Sequence, residues 1–199
     1  YGTYLAGQRI DASGQLIDQT PLMLIDWVYG QTKTVVGNGE YLVAGLDFYD
    51  SANCKARRIS PNGQPIGDSF NVPSLNIAGN GTEFYVTWIA DYVNLVGSRM
   101  TNTGTLLTPA GTVIVSNFSQ YTHSTLAHDG TNWWLEWGGS DILRTVRINS
   151  AGTVLDPNGG VLLPITIGGN VNTAYDPQLL PRTGGGVHGG EAGERQQRD

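Results

Sequence analysis

A six-residue frame that begins with arginine and ends with glycine occurs four times in this 199-residue chain. The four copies are Arg9–Gly14, Arg58–Gly63, Arg99–Gly104 and Arg147–Gly152. In each copy an apolar residue follows the arginine, and the glycine stands where a tight turn needs a positive φ angle. Another apolar residue follows each glycine within three positions. The frame therefore predicts a β-hairpin that is built four times.

The spacing of the frames predicts a larger repeating unit. The four equivalent glycines lie 49, 41 and 48 residues apart. Each full unit also contains two further apolar segments ahead of its frame, as in the stretch around Asn38-Gly39, a strong two-residue hairpin signal. A four-stranded repeat of roughly 40 to 50 residues is typical of a β-propeller blade. We therefore expect an all-β fold, a β-propeller of four-stranded antiparallel blades, with about four blades or a fragment of a larger ring; an irregular β-sandwich is the alternative.

The repeat also predicts the domain organisation. We expect a single propeller repeat domain over 1–183, followed by a flexible, glycine-rich polar tail over 184–199 that cannot build a core. The predicted units are 1–28 (partial), 29–74, 75–117, 118–166 and 167–183 (a partial closing strand). The partial units at the two ends predict a composite blade, a piece of a longer protein, or self-association through open strand edges.

Composition excludes several classes of protein. The formal net charge is −6 and the isoelectric point is about 4.9, so we expect no nucleic-acid partner. The apolar runs are too short for a membrane span, and the single cysteine, Cys54, excludes an internal disulfide. Low lysine content with many Asn, Thr and Gly residues indicates a secreted, extracellular protein, and any signal peptide is expected to have been removed.

Aspartates recur in the loop that follows the second strand of each full unit. They are Asp47, Asp50, Asp91 and Asp141. In a propeller these loops gather on one face of the ring, where carboxylates would bind calcium, act as an acid and base pair, or simply cap the turns. Capping is the interpretation that we favour, and we expect no cofactor and no metal other than this possible calcium. The frame arginines are expected to pair with these aspartates.

Aromatic residues are divided between strands and loops. Trp88, Trp133 and Trp137 fall at strand positions that the repeat predicts to be buried. Trp27, together with Phe48, Tyr49 and Tyr92 in the acidic loops, is freer to stack on a ligand. The predicted binding residues are therefore Trp27, Asp47, Tyr49, Asp50, Asp91, Tyr92 and Asp141.

No catalytic residue is predicted. His123, His128 and His188 have no metal-ligand spacing. His123 and Ser124 are adjacent in a predicted strand, so their side chains point to opposite faces. An enzyme is less expected than a binding module.

The units resemble a blade found in bacterial secreted and cell-surface β-propeller proteins, which reads about Asp-Gly-Thr-Asn-Tyr-Leu-Val-Val-Trp and then Gly-x-Arg-Ile-x-x-x-Gly-x-x-Leu-Asp. The matching segments are Asp129–Trp137, Gly7–Asp18 and Gly97–Met100. Gly45 departs from the pattern at the strand-ending tryptophan, and Ala56 and Val146 depart from it at the glycine before the arginine. The resemblance implies a fold and an extracellular setting, and no activity.

Three functions are compatible with these features. The first is a secreted, non-enzymatic propeller module that binds a glycan or protein at a surface. The second is an extracellular polysaccharide hydrolase, a glycoside hydrolase-like enzyme with two loop aspartates as acid and base. The third is a structural repeat protein that self-assembles into an oligomer or filament.

Overall fold

The structure is a computed structural model that describes residues 3–50, 53–118, 123–139, 142–156, 159–163, 177–181 and 187–191. Within these ranges every regular element is a β-strand, which confirms the predicted all-β class. The strands are β1 Tyr4–Gly7, β2 Leu22–Asp26, β3 Val28–Gly37, β4 Glu40–Asp47, β5 Cys54–Ile59, β6 Pro65–Val72, β7 Ile77–Gly79, β8 Phe84–Ala90, β9 Asn94–Met100, β10 Thr112–Ser116, β11 His123–His128, β12 Trp133–Gly139, β13 Ile142–Ile148, β14 Val161–Leu163, β15 Pro177–Pro181 and β16 Val187–Glu191.

Hydrogen bonding groups the strands into five sheets in which consecutive strands are neighbours. The first sheet is β1-β2, the second β3-β4-β5-β6, the third β7-β8-β9-β10, the fourth β11-β12-β13-β14 and the fifth β15-β16. The pairings that join them are antiparallel. The prediction of four strands per full unit is thereby confirmed for the second, third and fourth sheets.

The turns of the four arginine frames share one geometry. Their glycines have φ angles of 85°, 78°, 88° and 85°, as the sequence predicts. In the first frame the Gly14 N–H donates to the Asp11 carbonyl, and the other three frames repeat this bond. The third residue of each frame accepts a further bond from the backbone N–H four residues later. These third residues are Asp11, Ser60, Thr101 and Asn149.

Such a cap explains the frame. Asp, Ser, Thr and Asn all carry an oxygen close to the backbone, which is what a turn of this kind requires. The four frames therefore share two features, the turn glycine and a side-chain oxygen at the third residue that caps the turn.

The chain divides into two compact units, Tyr1–Trp88 with Ser98–Pro109 and Ile89–Gly97 with Ala110–Asp199. In the first unit, both faces of the second sheet are covered. One face contributes Leu42, Ala44 and Ala56 to an apolar cluster that contains Phe84 and Met100 of the third sheet. The opposite face contributes Val43 and Ile59 to a cluster with Ile25 and Val28. Adjacent β4 residues thus enter different cores, as strand alternation requires.

The second unit has its core on the fourth sheet. Trp133, Leu135, Val146 and Ile148 are each fully buried. Leu179 of β15 is also buried, and β15 lies against β11 and β12. The predicted burial is confirmed for Trp133 and Trp137, whereas Trp88 is only partly buried.

The two ends of the chain bear on the predicted partial units. The sequence predicts strands three and four of a unit near Tyr4–Ile25, and β1 and β2 form that two-stranded sheet. Strand β16 lies within the segment 184–199 that the sequence predicts as a flexible tail. The predicted strand 171–180 lies partly outside the described residues, and its last part is β15. The boundaries of the predicted domain and tail stay predictions.

Candidate functional site

Two connections of the first unit meet at the end of the second sheet. Trp27 lies between β2 and β3, and Phe48 follows directly after β4. The Phe48 N–H donates to the Trp27 carbonyl at 2.8 Å, which ties the connections together. Trp27 has a φ angle of 55°, a conformation that is costly for a bulky side chain. The hydrogen bond between the two connections thus holds Trp27 in a backbone conformation that the residue would rarely adopt on its own.

Four aromatic side chains, Trp27, Tyr29, Phe48 and Tyr49, form what we call the aromatic cluster. Ring centroids are 5.2 Å apart for Trp27 and Tyr49, 5.4 Å for Phe48 and Tyr49, 6.1 Å for Tyr29 and Phe48, and 6.3 Å for Trp27 and Phe48. These separations fall in the range in which tilted and edge-on aromatic pairs attract each other. The rings therefore support one another on the surface.

The aromatic cluster is open to solvent. Trp27 is 37% exposed, Tyr29 41%, Phe48 47% and Tyr49 70%. Single exposed apolar residues are ordinary on a protein surface, whereas contiguous exposed patches mark interaction sites. Two tyrosine hydroxyls give this patch polar groups as well.

Asp47 supports the loop that carries Phe48 and Tyr49. The residue is buried, and its Oδ1 accepts a hydrogen bond from the Tyr49 N–H at 2.8 Å. Its Oδ2 lies 3.7 Å from Lys55 Nζ. Asp47 is therefore engaged as a turn cap, the role favoured from the sequence. Asp50, at the exposed end of the same loop, accepts a bond of 2.6 Å from the side-chain amide of Asn53.

The structure brings together Trp27, Asp47, Tyr49 and Asp50 of the predicted binding residues. Asp91 and Tyr92 belong to the second unit, where they form the turn between β8 and β9. Both have positive φ angles, 51° and 61°, and Tyr92 is 82% exposed. Asp141 lies outside the described residues.

Sequence reasoning missed Tyr29. It lies in β3 where the pairing with β4 shifts register between Tyr29 and Thr32, and Gly30 within that shift has a φ angle of 67°. The two extra residues, Gly30 and Gln31, re-aim the side chains beside them. The aromatic pattern Trp27-x-Tyr29 followed by glycine was the available signal.

The frame arginines pair with carboxylates other than those predicted. The expectation that they pair with the loop aspartates is wrong, because each described guanidinium contacts a residue at the frame end of its sheet. The pairs are Arg9 with Asp18, Arg58 with Glu40, Arg99 with Glu83, and Arg147 with Asp156. Hydrogen bonds from Arg58 lower the pKa of the Glu40 carboxyl, and those from Arg147 lower the pKa of Asp156.

One buried carboxyl group was not anticipated. Glu136 of β12 is 1% exposed, and neither carboxyl oxygen has a hydrogen-bond partner in the part of the chain that the structure describes. Thr125 and Thr145 lie opposite it on the flanking strands, and the Thr145 hydroxyl donates to the Leu135 carbonyl instead. Burial raises the pKa of Glu136 to about 7, because a charged carboxylate is poorly solvated there.

The other reactive side chains have structural surroundings. Cys54 is buried in β5, and burial raises the pKa of its thiol to about 11, so the nucleophilic thiolate is disfavoured. His128 accepts a bond from the Gly130 N–H and lies 5.2 Å from the Trp133 ring. Both observations agree with the structural roles expected from the sequence.

Among the described residues, no group of three or more His, Cys, Asp or Glu side chains is placed to hold a metal ion. Over the same ranges the chain has no helix of the length and apolarity that a membrane crossing requires. Comparison with protein-family models, with curated proteins and with solved structures gives no match.

Proposed function

We propose that this chain is a non-enzymatic β-propeller module that binds a neutral glycan at the aromatic cluster, in an extracellular, bacterial setting. The observation that carries the proposal is the group of four exposed, mutually packed rings formed by Trp27, Tyr29, Phe48 and Tyr49.

The stacking of sheets in the first unit supports a propeller. The second sheet has one face against Ile25 of the first sheet and the other against Phe84 and Met100 of the third sheet. Successive four-stranded sheets that cover one another face to face are the packing unit of a propeller. The repeated frame turn supports the same architecture, because each of the first four sheets has it between its last two strands.

Ring stacking supports a sugar as the ligand. The C–H face of a pyranose is apolar and packs on an aromatic ring, while its hydroxyls need hydrogen-bonding groups at the ring edges. The cluster offers Trp27 and Phe48 as apolar surfaces and the hydroxyls of Tyr29 and Tyr49 as polar groups. The net charge of −6 disfavours an anionic polysaccharide, so the proposed ligand class is neutral.

Isothermal titration calorimetry against a panel of soluble neutral polysaccharides tests the proposal. We expect Trp27→Ala and Tyr49→Ala to weaken binding at least tenfold, the loss of about 1.4 kcal/mol that one stacked ring supplies. Tyr41→Ala is the matched control. Tyr41 is also a partly exposed tyrosine, 42% accessible, and it lies near the opposite end of β4 from Phe48.

The outcomes separate the candidate classes. Equal binding by all three variants would place the ligand elsewhere, and binding of none of the polysaccharides would contradict the glycan proposal in favour of a protein ligand. Hydrolysis has no support of its own at this site, since Asp47 is held by Tyr49 and Lys55 and Asp50 by Asn53. Reducing-sugar release during the titration would reverse that view.

A further inference from the structure

The rings of the aromatic cluster are tilted against one another. The plane of Trp27 meets that of Tyr49 at 47° and that of Phe48 at 51°. Phe48 is close to perpendicular to both Tyr29 and Tyr49, at 88° and 84°. In none of these four neighbouring pairs are the two ring faces parallel. The cluster therefore presents its ring faces in different directions.

These tilts determine which ligand surfaces can stack on the cluster. A flat surface that lay on the face of Phe48 would meet Tyr29 and Tyr49 at their edges. A flat surface that lay on Tyr49 would meet Phe48 edge-on and Trp27 at an incline of 47°. Stacking of a sugar requires its apolar C–H face to lie against a ring face. A flat surface therefore stacks on at most one member of each pair.

Hydrogen bonds and ring contacts fix the tilts. The Phe48 N–H donates to the Trp27 carbonyl at 2.8 Å, and the buried Asp47 accepts a bond of 2.8 Å from the Tyr49 N–H. The Asp47 N–H in turn donates to the Asn53 carbonyl at 3.2 Å, which closes the base of the loop. Rotation of one ring into the plane of another would also break contacts at centroid separations of 5.2 to 6.3 Å. The rings are therefore arranged before a ligand arrives, and the ligand has to fit them.

A polar group lies beside the rings. Asp50 follows Tyr49 directly and is exposed, and its Oδ2 accepts a bond of 2.6 Å from the Asn53 side-chain amide. An ionised carboxylate has about four acceptor sites, so Asp50 can accept bonds from sugar hydroxyls while it keeps this one. The hydroxyls of a crystalline polysaccharide are bonded to neighbouring chains, whereas those of a single chain in water are available. Asp50 therefore favours a single chain as the ligand.

We infer that the aromatic cluster binds a single hydrated chain of a neutral glycan and does not bind a flat crystalline polysaccharide surface. The inference rests on the glycan-binding function proposed above, and it specifies the physical form of the ligand. Rotation about glycosidic bonds lets consecutive residues of one chain turn their apolar faces in different directions, as the tilted rings require. A chain held in a crystal lattice has lost that freedom.

The same polymers in two physical forms test the inference. The probes are cellohexaose with microcrystalline cellulose, chitohexaose with crystalline chitin, and mannohexaose with crystalline mannan. In calorimetry we expect a hexasaccharide to bind at least tenfold more tightly than its monosaccharide, because consecutive residues contact rings that face different ways. Trp27→Ala and Tyr49→Ala are each expected to weaken that binding at least tenfold. We expect the crystalline solids to remove no protein from solution.

Three outcomes overturn the inference. Adsorption to a crystalline solid that Trp27→Ala and Tyr49→Ala abolish would contradict it and leave the glycan-binding function intact. Equal binding of a monosaccharide and its hexasaccharide would contradict it too, because one ring would then be sufficient. Failure to bind every hexasaccharide and every solid also overturns it, and the polysaccharide titrations described above then decide separately whether glycan binding itself fails.

Folding of the variants is checked by near-ultraviolet circular dichroism. Tyr49 is 70% exposed, so Tyr49→Ala is expected to fold as the unaltered chain does. If Trp27→Ala does not fold, Tyr49→Ala alone identifies the binding that occurs at the aromatic cluster.

Discussion

Arg147 forms a two-point ion pair with Asp156, with Nε 2.9 Å from Oδ2 and Nη2 2.7 Å from Oδ1. Arg58 forms an equivalent pair with Glu40, yet the carboxylate comes from a different place in the repeat. Glu40 is the first residue of β4, whereas Asp156 lies nine residues after its arginine. Arg99 follows the first arrangement and Arg9 the second. The repeat therefore specifies an acid for each arginine, and two positions can supply it.

Moving the carboxylate that pairs with Arg147 from one of these positions to the other tests whether the two positions are interchangeable. Asp156→Ala is expected to destabilise the second unit by at most about 1 kcal/mol, because the Arg147 side chain is 44% exposed and its ion pair is screened. Asn132 stands one residue before Trp133, which pairs with Ile148, just as Glu40 stands one residue before Tyr41, which pairs with Ile59. Adding Asn132→Glu is therefore expected to restore most of the loss. Urea unfolding of the single and double variants measures both effects. A double variant that is no more stable than Asp156→Ala alone would show that the two positions are not interchangeable.

Glu136 predicts a pH dependence of stability. Its pKa in the folded chain is about 7, raised from 4.5 by burial, so the folded state holds the proton more tightly than the unfolded state. The contribution of Glu136 to the free energy of unfolding is greatest below pH 4.5. It falls by on the order of 3 kcal/mol as the pH rises from 4.5 to about 7. Tryptophan fluorescence during urea unfolding at pH 5 and pH 8 measures the loss.

Glu136→Gln is the control for that dependence. The amide cannot ionise, so the variant is expected to lose the part of the pH dependence that lies between about 4.5 and 7 and to exceed the unaltered chain in stability at pH 8. Thr125→Ser, which alters the strand residue opposite Glu136, is expected to keep the pH dependence. An identical slope in the unaltered chain and in Glu136→Gln would assign the effect to another group.

The turn at Asp91-Tyr92 carries backbone strain that glycine would relieve. Both residues have positive φ angles, and the Val93 N–H donates to the Ala90 carbonyl at 3.2 Å, as in the tight hairpin turns that prefer Asn-Gly. Tyr92→Gly is therefore expected to stabilise the chain by about 0.5 to 1 kcal/mol. Thermal unfolding measures the gain.

The Asn38-Gly39 turn provides the reciprocal control. Its residues have φ angles of 53° and 70°, so Gly39→Tyr is expected to destabilise the chain by a similar amount. Stabilisation of the chain by both substitutions, or destabilisation by both, would show that contacts of the tyrosine ring outweigh the backbone conformation.

The sequence predicts the strands and turns well because periodic patterns encode them locally. The frame glycines and the alternation along β4 both specify backbone geometry within a few residues. The aromatic cluster is predicted only in part, because Tyr29 joins it through a shift of register in the β3-β4 pairing. The partner of each arginine was mispredicted, since an ion pair between strands depends on register and on which of two positions carries the acid. The burial of Glu136 was not predicted, because its position in β12 does not by itself reveal which face of the strand is covered.

Substitution of Gly79 tests how closely the second and third sheets stack in the first unit. A Cβ atom at this position would lie 1.9 Å from the carbonyl oxygen of Val36, which belongs to β3. Backbone cannot yield as a side chain can, so Gly79→Ala is expected to cost at least about 2 kcal/mol. Urea unfolding, followed by fluorescence, measures the change.

Gly7→Ala is the matched comparison for Gly79→Ala. Its added Cβ would lie 2.9 Å from the Cδ1 atom of Leu24, the end of a flexible side chain that can rotate away. We therefore expect Gly7→Ala to cost well under half as much. Both sites are strand glycines without a positive φ angle, so the difference reports the neighbouring atom rather than the backbone conformation. A loss for Gly79→Ala as small as that expected for Gly7→Ala would mean that the β3 backbone moves away from β7 at little cost, which contradicts tightly stacked sheets and removes the main support for a propeller.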